Sequence, residues 1–293
     1  MHKYLRAVGF SKIKDRKQLM ELLGFSVKGA EEKSYTSNGE DTLFAEYNKS
    51  FGENIGITIC GEYDEQNCFS LDYYFPYCKG SQISSREDVS IERHADKESY
   101  AGVCDDIKVG VSLIFYLQNT INYLKLKNAG QLPVRGTSLV LSALSVKGMI
   151  LMPINKNESD KKKVKKASSN RNHLIAAARK GDEEAIENLT LEDMDTYTII
   201  SKKILKEDVF SLVDTYFMPY GVECDHYSVL GEIMDLRKIK NTITKEDVYL
   251  LTINSNELIF DVAINKQDLF GEPQIGRRFK GFLWMQGFIN FPS

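Results

Sequence analysis

Apolar positions near the amino terminus recur at helical spacing. Leu22 and Leu23 follow Leu19 at intervals of three and four residues, which places the three side chains on one face of a helix. Asp15 is a suitable N-cap, and Gly24 is a suitable stop. The pattern predicts a short helix over residues 15–23.

Short β-rich runs replace this helical spacing after residue 31. They are separated by Asn-Gly, Phe-Gly-Glu-Asn and Asp-Glu-Gln-Asn, residue types that favour reversal of the chain. The runs cover residues 42–47, 56–62, 69–75, 89–94, 99–104 and 109–118. The first three predict an antiparallel meander. The last is predicted to pass into a helix over 119–127.

A hairpin is predicted to close this first segment. Runs 138–145 and 149–154 flank Gly148, and glycine supplies the positive φ that a tight turn requires. Residues 1–155 are therefore predicted to form a mixed α/β domain with an antiparallel sheet.

A polar stretch follows over residues 156–172. It has no apolar face to bury, because Ser168, Ser169 and Asn170 stand beside a cluster of lysines. The lysines are Lys161, Lys162, Lys163, Lys165 and Lys166. We interpret the stretch as a linker between two domains.

The second segment, 173–293, begins with helical spacing and ends with β-rich runs. Asn172 is a predicted cap for a helix to residue 189, and Thr190 with Asp193 resembles a capping box that opens a second helix. Five β-rich runs then cover 210–218, 227–236, 248–254, 258–264 and 279–291. The predicted fold class is α+β: the mixed first domain, then a helical pair and a small antiparallel β-barrel of OB-like type.

Charge and cysteine usage narrow the class of protein. The net charge of −3 creates no global field that would gather nucleic acid or an anionic membrane. The longest apolar run, 109–117, is far shorter than the roughly 20 residues of a membrane-spanning helix. Five widely spread cysteines and an amino terminus without an apolar stretch indicate reduced thiols and a cytoplasmic location. A membrane partner is not expected.

Two motifs that suggest cofactors are incomplete. Gly271 and Gly276 have the glycine spacing of a phosphate loop, but two arginines replace its lysine and hydroxyl. Cys224 and His226 lie on one side of an extended chain, yet a metal site needs three or four ligands. We predict no cofactor and no metal site.

The densest ionisable cluster of the first segment contains His94, Cys104, Asp105 and Asp106. A Cys/His/Asp arrangement activates a thiolate nucleophile when the side chains meet in space. The alternative is a solvated strand face, on which charged residues alternate in the same way.

The last β-rich run interleaves basic and aromatic residues at strand spacing. Arg277, Arg278, Lys280 and Trp284 are the candidate ligand-binding residues, because such a surface grips phosphates and stacks bases. The alternative is that Trp284 fills the core and the arginines pair with acids such as Glu272.

Three blocks of sequence carry a resemblance to a known family. They are 4–10 (YLRAVGF), 99–106 with 109–119, and 276–281 with 284–287. In these blocks the chain resembles a family of uncharacterised proteins, a domain of unknown function from anaerobic Gram-positive bacteria. The resemblance implies a bacterial, intracellular protein and supplies no activity, ligand or catalytic residue.

The function is thus unknown from the sequence, and we keep three hypotheses. The first is a non-catalytic binding or adaptor protein that contacts a protein, nucleic acid or other anionic partner through the barrel. The second is an enzyme with its site around His94 and Cys104. The third is a structural subunit of a larger assembly.

Overall fold

The computed structural model describes most of the chain. The described residues are 2–37, 43–94, 99–106, 111–132, 135–154, 170–171, 173–178, 180–204 and 213–292, with side chains excepted over 195–204. Within them the protein is mostly β with few helices.

A four-stranded antiparallel sheet forms the amino-terminal layer. Its strands, in spatial order, are β1 (Glu32–Ser37), β2 (Leu43–Gly52), β3 (Ile55–Tyr63) and β4 (Phe69–Cys78). The predicted meander is confirmed as β2, β3 and β4. Helix α1 (Arg16–Lys28) precedes the sheet, and Asp15 caps it by accepting a hydrogen bond from the Gln18 N–H at 2.8 Å. The helix continues four residues past Gly24.

A second sheet contains ten strands, five of which close into a barrel. The barrel strands are β8 (Ser138–Leu151), β10 (His226–Lys240), β11 (Asp247–Ser255), β12 (Leu258–Asn265) and β14 (Arg278–Asn290). The ring closes because β14 pairs with β10 along one edge and with β8 along the other. Strand β8 pairs with β12 in parallel, so the barrel is antiparallel except at this seam.

The remaining strands extend the ring. Strands β5 (Val89–Arg93), β6 (Tyr100–Cys104) and β7 (Leu113–Leu117) continue the sheet from β14. Strand β9 (Tyr216–Pro219) pairs with β10, and strand β13 (Leu269–Phe270) pairs with β8. Helix α2 (Thr120–Asn128) follows β7, as the strand-to-helix passage in the sequence predicts.

The predicted hairpin around Gly148 is wrong, because residues 138–151 form one continuous strand. Gly148 serves packing and not a turn. A Cβ atom at this position would lie 2.5 Å from the Phe279 ring and 2.9 Å from Ile264. The strand needs glycine here so that the aromatic ring can approach its backbone.

Four of the five predicted barrel runs correspond to barrel strands. The fifth, 210–218, falls partly outside the described residues, and its described end contributes the short strand β9, which pairs only with β10. Strand β8 takes the fifth place in the ring. It comes from before the predicted linker, so the sequence pattern gave no reason to group it with the carboxy-terminal strands.

The predicted helical pair is not confirmed. Residues 173–178 are helical, and α3 then runs without interruption from Glu183 to Ile204. The helix starts at Asp182, whose side chain accepts from the Ala185 N–H at 3.1 Å. Thr190 does not cap a new helix, because its hydroxyl donates back to the Ile186 carbonyl at 2.8 Å, as threonines inside helices do.

The predicted linker 156–172 lies outside the described residues except for 170 and 171. The segments on either side of it are connected by strand pairing. Strand β8 pairs with β14 from Ser138 opposite Asn290 to Leu151 opposite Arg278, so both segments contribute to the same barrel. No helix in the described part of the chain is long and apolar enough to cross a membrane.

Candidate functional site

The residues of the predicted thiolate site do not come together. Val89 of β5 pairs with Cys104 of β6, while His94 lies at the other end of this hairpin, where its N–H donates to the Ser99 carbonyl. Five residues of extended strand separate the two ends, roughly 17 Å. The His94 ring contacts Ser99 and Tyr116 instead.

Cys104 also has the wrong electrostatic environment for a nucleophile. It is fully buried, and burial raises the pKa of its thiol to about 11. Asp106 accepts a hydrogen bond from the Ser85 hydroxyl at 2.7 Å, and Asp105 accepts one from Ser112. The geometry therefore gives the thiolate hypothesis no support.

The basic and aromatic residues of β14 are largely engaged within the protein. Arg278 is 6% exposed and donates to the carbonyls of Met152 and Val213 at 3.0 and 2.8 Å. Arg277 donates to the backbone carbonyl of Glu272 at 2.9 Å and not to its carboxylate. Arg277 and Lys280 are half-buried.

Trp284 is covered by the amino-terminal segment. Its ring stacks on Tyr4 at 5.3 Å and contacts His2 at 4.7 Å, and its Nε1–H donates to Asp225 at 2.7 Å. Only 5% of the residue is exposed. The ligand-binding role of this strand stays a prediction, and a flat stacking platform at Trp284 would require the residues around His2 to move.

A different site emerges between the four-stranded sheet and the start of α2. A cavity of about 170 Å³ lies there, and most of its lining residues have polar side chains. A single water needs about 10–15 Å³ of such space, so the cavity has room for a group of waters or one small molecule. We call it the Glu46 cleft. Its lining residues are Glu32, Ser34, Glu46, Asn48, Thr58, Tyr77, Lys79, Gln118, Asn119, Ile121, Asn122 and Phe288.

Strand alternation and register place the acids on one face of the sheet. Glu46 and Asn48 are two residues apart on β2, so they point the same way. Ser34 and Cys60 lie opposite Glu46 on the neighbouring strands. Glu32 and Thr58 lie opposite Asn48, which assembles a polar patch from three strands.

The floor of the Glu46 cleft is held by a saturated hydrogen-bond network. The Gln118 amide donates to the Cys78 carbonyl at 2.8 Å and to Gln286 at 2.9 Å. Asn119 donates to the Ile289 carbonyl and accepts from the Ile289 N–H. These bonds tie the start of α2 to β4 and β14, so the floor is built from fixed groups.

Glu46 is the exception to this saturation. It is 6% exposed, and its Oε1 accepts from the Asn48 amide at 3.1 Å. Its Oε2 is buried and has no hydrogen-bond partner within the described part of the chain. Buried polar atoms are nearly always paired, and an unpaired carboxylate oxygen is the most costly kind to leave alone.

Burial raises the pKa of Glu46 to about 7. The Asn48 hydrogen bond, the nearby Ile121 backbone N–H and Lys125 lower it, while the charge of Glu32 raises it. Desolvation outweighs the favourable contacts, because it acts on the ionised form of a fully buried group. The raised pKa brings the titration of the Glu46 carboxyl close to neutral pH.

The mouth of the cleft is formed by exposed side chains. Lys79 Nζ lies 3.4 Å from Glu32 Oε1 and 5.7 Å from the centre of the Tyr77 ring. Asn122 and Phe288 are also exposed. This part of the lining thus combines one carboxylate, one ammonium group and two aromatic rings, those of Tyr77 and Phe288.

The sequence reasoning missed this site, although one signal was present. Phe44 and Glu46 share a face of β2, and Phe44 is fully buried. Period-two alternation within the predicted strand 42–47 puts a carboxylate on the same side as a core aromatic. Such a charge on an apolar face indicates a functional or paired group.

Comparisons with known proteins add a family and no activity. No curated protein and no solved structure gives a significant match to the chain. One protein family matches residues 5–287, a range that includes β1 to β13 and nearly all of β14. The resemblance noted in the sequence is confirmed: the chain belongs to the family described as "Domain of unknown function, E. rectale Gene description (DUF3881)".

Proposed function

We propose that the protein is a non-catalytic binding protein of the bacterial cytoplasm, and that its ligand is a small polar molecule held in the Glu46 cleft. The cleft offers several neutral hydrogen-bonding side chains, two carboxyl groups and one ammonium group around a small cavity. Convergent polar groups in a concave site are the usual basis of ligand specificity.

One observation carries the proposal. Glu46, whose Oε2 is buried without a partner among the described residues, lines a cavity that exceeds the size of one water. Gln118 and Asn119 at the floor beside it are hydrogen-bonded to β4 and β14, so the missing partner does not reflect loose packing in this region. A ligand donor that reaches Oε2 completes the network.

The cytoplasmic location is supported by the cysteines. All five are free, and Cys60, Cys78 and Cys104 are buried. Proteins of oxidising compartments commonly pair their cysteines, whereas reducing compartments preserve free thiols.

The test is a ligand-observed NMR screen of small polar molecules against wild type, Glu46→Gln and Glu21→Gln. Glu21 is an exposed residue of α1 and provides the matched control. We expect at least one ligand whose signal is lost with Glu46→Gln and kept with Glu21→Gln. A screen in which every ligand binds all three proteins equally, or none binds, contradicts the proposal.

A protein or nucleic-acid partner of the barrel remains a separate prediction. Arg277 and Lys280 are the appropriate positions to substitute, because Arg278 supports the backbone at Met152 and Val213. If the surface binds an anionic partner, Arg277→Ala with Lys280→Ala reduces capture of labelled single-stranded RNA. Unchanged capture removes the surface from consideration.

A further inference from the structure

We propose that the ligand of the Glu46 cleft carries a primary ammonium group, which binds the Glu46 carboxyl group as its ion-pair partner. The inference rests on the proposed function and adds the chemical class of the ligand. Its basis is the charge, the existing contacts and the size of the cleft.

The acceptor in the cleft calls for a donor with positive charge. An ionised carboxylate only accepts hydrogen bonds, and a charged donor satisfies it about twice as strongly as a neutral donor. The Asn48 amide already donates a hydrogen bond to Glu46, and its nitrogen lies 3.5 Å from Glu32 Oε2. Both carboxyl groups therefore lie beside the same amide. An anionic ligand would be repelled by this pair.

The protein itself provides an example of an ammonium group at this place. Lys79 Nζ contacts the Glu32 carboxylate and lies over the Tyr77 ring at the mouth. Carboxylate and aromatic face together form a typical environment for an organic cation. A ligand ammonium group entering the cleft finds the same kind of contacts and continues to Glu46.

The remaining lining defines the rest of the ligand. Ser34, Thr58 and Asn122 are neutral hydrogen-bonding side chains, and Ile121 with Phe288 adds a short apolar wall. A volume of about 170 Å³ is below the roughly 300 Å³ at which pockets for drug-sized molecules begin. The matching class is a short amine with hydroxyl or amide substituents.

Binding of such a ligand is coupled to the ionisation of Glu46. The titratable or charged groups near its carboxyl are Glu32 from β1, Cys60 from β3, Tyr73 and Tyr77 from β4, Tyr116 from β7 and Lys125 from α2. Burial keeps the tyrosines and Cys60 neutral, since it raises the pKa of each above its usual range. Glu46, with its pKa of about 7, changes charge near neutrality. The affinity for an amine is therefore expected to rise about tenfold from pH 6 to pH 8.

The experiment compares three probes of one shape by titration calorimetry or NMR: 3-aminopropane-1,2-diol, glycerol and glycerate. We expect the aminodiol to bind at least tenfold tighter than glycerol, and glycerate not to bind. Glu46→Gln, checked for folding by circular dichroism, is expected to lose at least tenfold for the aminodiol, whereas Glu21→Gln keeps the wild-type affinity.

Lys79→Met supplies a second readout that a structural role of Glu46 does not affect. Removing the internal ammonium group frees Glu32 and Tyr77, so the aminodiol is expected to bind more tightly and glycerol to stay unchanged. Glycerol binding that depends on Glu46 and equals that of the amine overturns the ammonium inference and leaves the proposed function standing. Absence of any Glu46-dependent binding by the three probes counts against both.

Discussion

At the scale of single residues, Glu46 is a buried carboxyl group that lacks a hydrogen-bond partner for one of its oxygens within the described structure. A carboxylate in a fully buried position is destabilised by desolvation, and only one of its two oxygens is hydrogen-bonded within the described structure. Such groups persist where they serve binding or chemistry, because an apolar or amide side chain would be more stable.

The ionisation of Glu46 predicts a pH dependence of stability. Its pKa rises from an ordinary value of 4.5 to about 7 in the folded protein, so the folded state binds more protons between these pH values. The associated stability is complete below pH 4.5 and is lost as the pH rises through 7. Relative to Glu46→Gln, wild type is expected to lose about 3 kcal/mol of unfolding free energy between pH 4.5 and pH 8. Urea denaturation at both pH values measures the difference, with Glu21→Gln as control; parallel pH profiles for wild type and Glu46→Gln would show that the carboxyl titrates normally.

Thiol labelling separates the binding hypothesis from the enzyme hypothesis. A pKa raised to about 11 reduces the thiolate fraction of Cys104 at pH 8 about a hundredfold, and the residue is buried. We expect exposed Cys68 and Cys224 to react with iodoacetamide first and Cys104 to lag far behind. Mass spectrometry of the labelled peptides gives the order. Preferential labelling of Cys104 would restore the site around His94.

Contacts of single residues could be predicted only where the two partners are close in the sequence. Asp15 caps its helix as the sequence predicts, because the cap and the N–H it binds are three residues apart. Glu46 and Gln118 line one cavity only after a sheet and a helix pack together, and no spacing in the sequence encodes that arrangement. The burial of Trp284 by Tyr4 joins residues 280 positions apart, which is equally invisible to a local pattern.

At the scale of elements, two glycines that resemble turn signals lie inside a helix and a strand. Gly24 lies inside α1 with nothing near its Cβ position, whereas Gly148 in β8 makes room for Phe279. Neither has a positive φ. The helix and the strand continue through them because the surrounding residues maintain hydrogen bonding.

The two glycines are expected to respond to alanine in opposite directions. Gly148→Ala places a methyl group against Phe279 and Ile264, and overpacking of this kind costs about 1–3 kcal/mol. Gly24→Ala meets no neighbour and gains helix propensity, about 0.5–1 kcal/mol. Thermal unfolding of both variants is the measurement. A Gly148→Ala protein as stable as wild type would show that β8 and β14 do not pack as described.

Element type could be predicted from the sequence more reliably than element continuity. The runs that become β2, β3, β4, β11 and β12 alternate or are apolar throughout, and their ends coincide with turn residues. Strand β8 and helix α3 were each divided in the prediction, at Gly148 and at Thr190. In both cases a residue with a strong local preference is overruled by the packing or hydrogen bonding of its neighbours.

At the scale of the whole molecule, the barrel joins the two ends of the chain. Strand β8 lies between β12 and β14, and an amino-terminal 3₁₀ helix (Lys3–Val8) is fixed to the barrel as well. Asn241 donates to the Val8 carbonyl at 2.8 Å, and Asn265 donates to the Arg6 carbonyl at 3.1 Å. A division of the chain at the lysine-rich stretch thus cuts across a closed ring of strands.

We expect the two halves of the chain to remain associated after the chain is cut in the lysine-rich stretch. After cleavage at a protease site inserted between residues 155 and 169, we expect both fragments to coelute in size-exclusion chromatography. The reason is the long pairing of β8 with β14. Residues 1–155 expressed alone are expected to aggregate, since β8 then exposes two unpaired edges. Separation of the cleaved fragments as folded monomers would support two independent domains.

The domain division illustrates what composition can and cannot predict. A run of lysines indicates a stretch with no apolar face, and that inference is local. It does not indicate whether the flanking segments pair with each other, because strand pairing between residues more than 100 positions apart depends on the complete fold.

The most direct test of the Glu46 cleft as a ligand site is the carboxyl ¹³C titration of Glu46 by NMR, with and without 3-aminopropane-1,2-diol. A pKa of about 7 in the free protein, lowered when the amine is added, is the predicted result, because an ion pair favours the ionised carboxyl. A free-protein pKa near 4.5, unchanged by the amine, would contradict both the unfilled contact and the ligand that we propose for it.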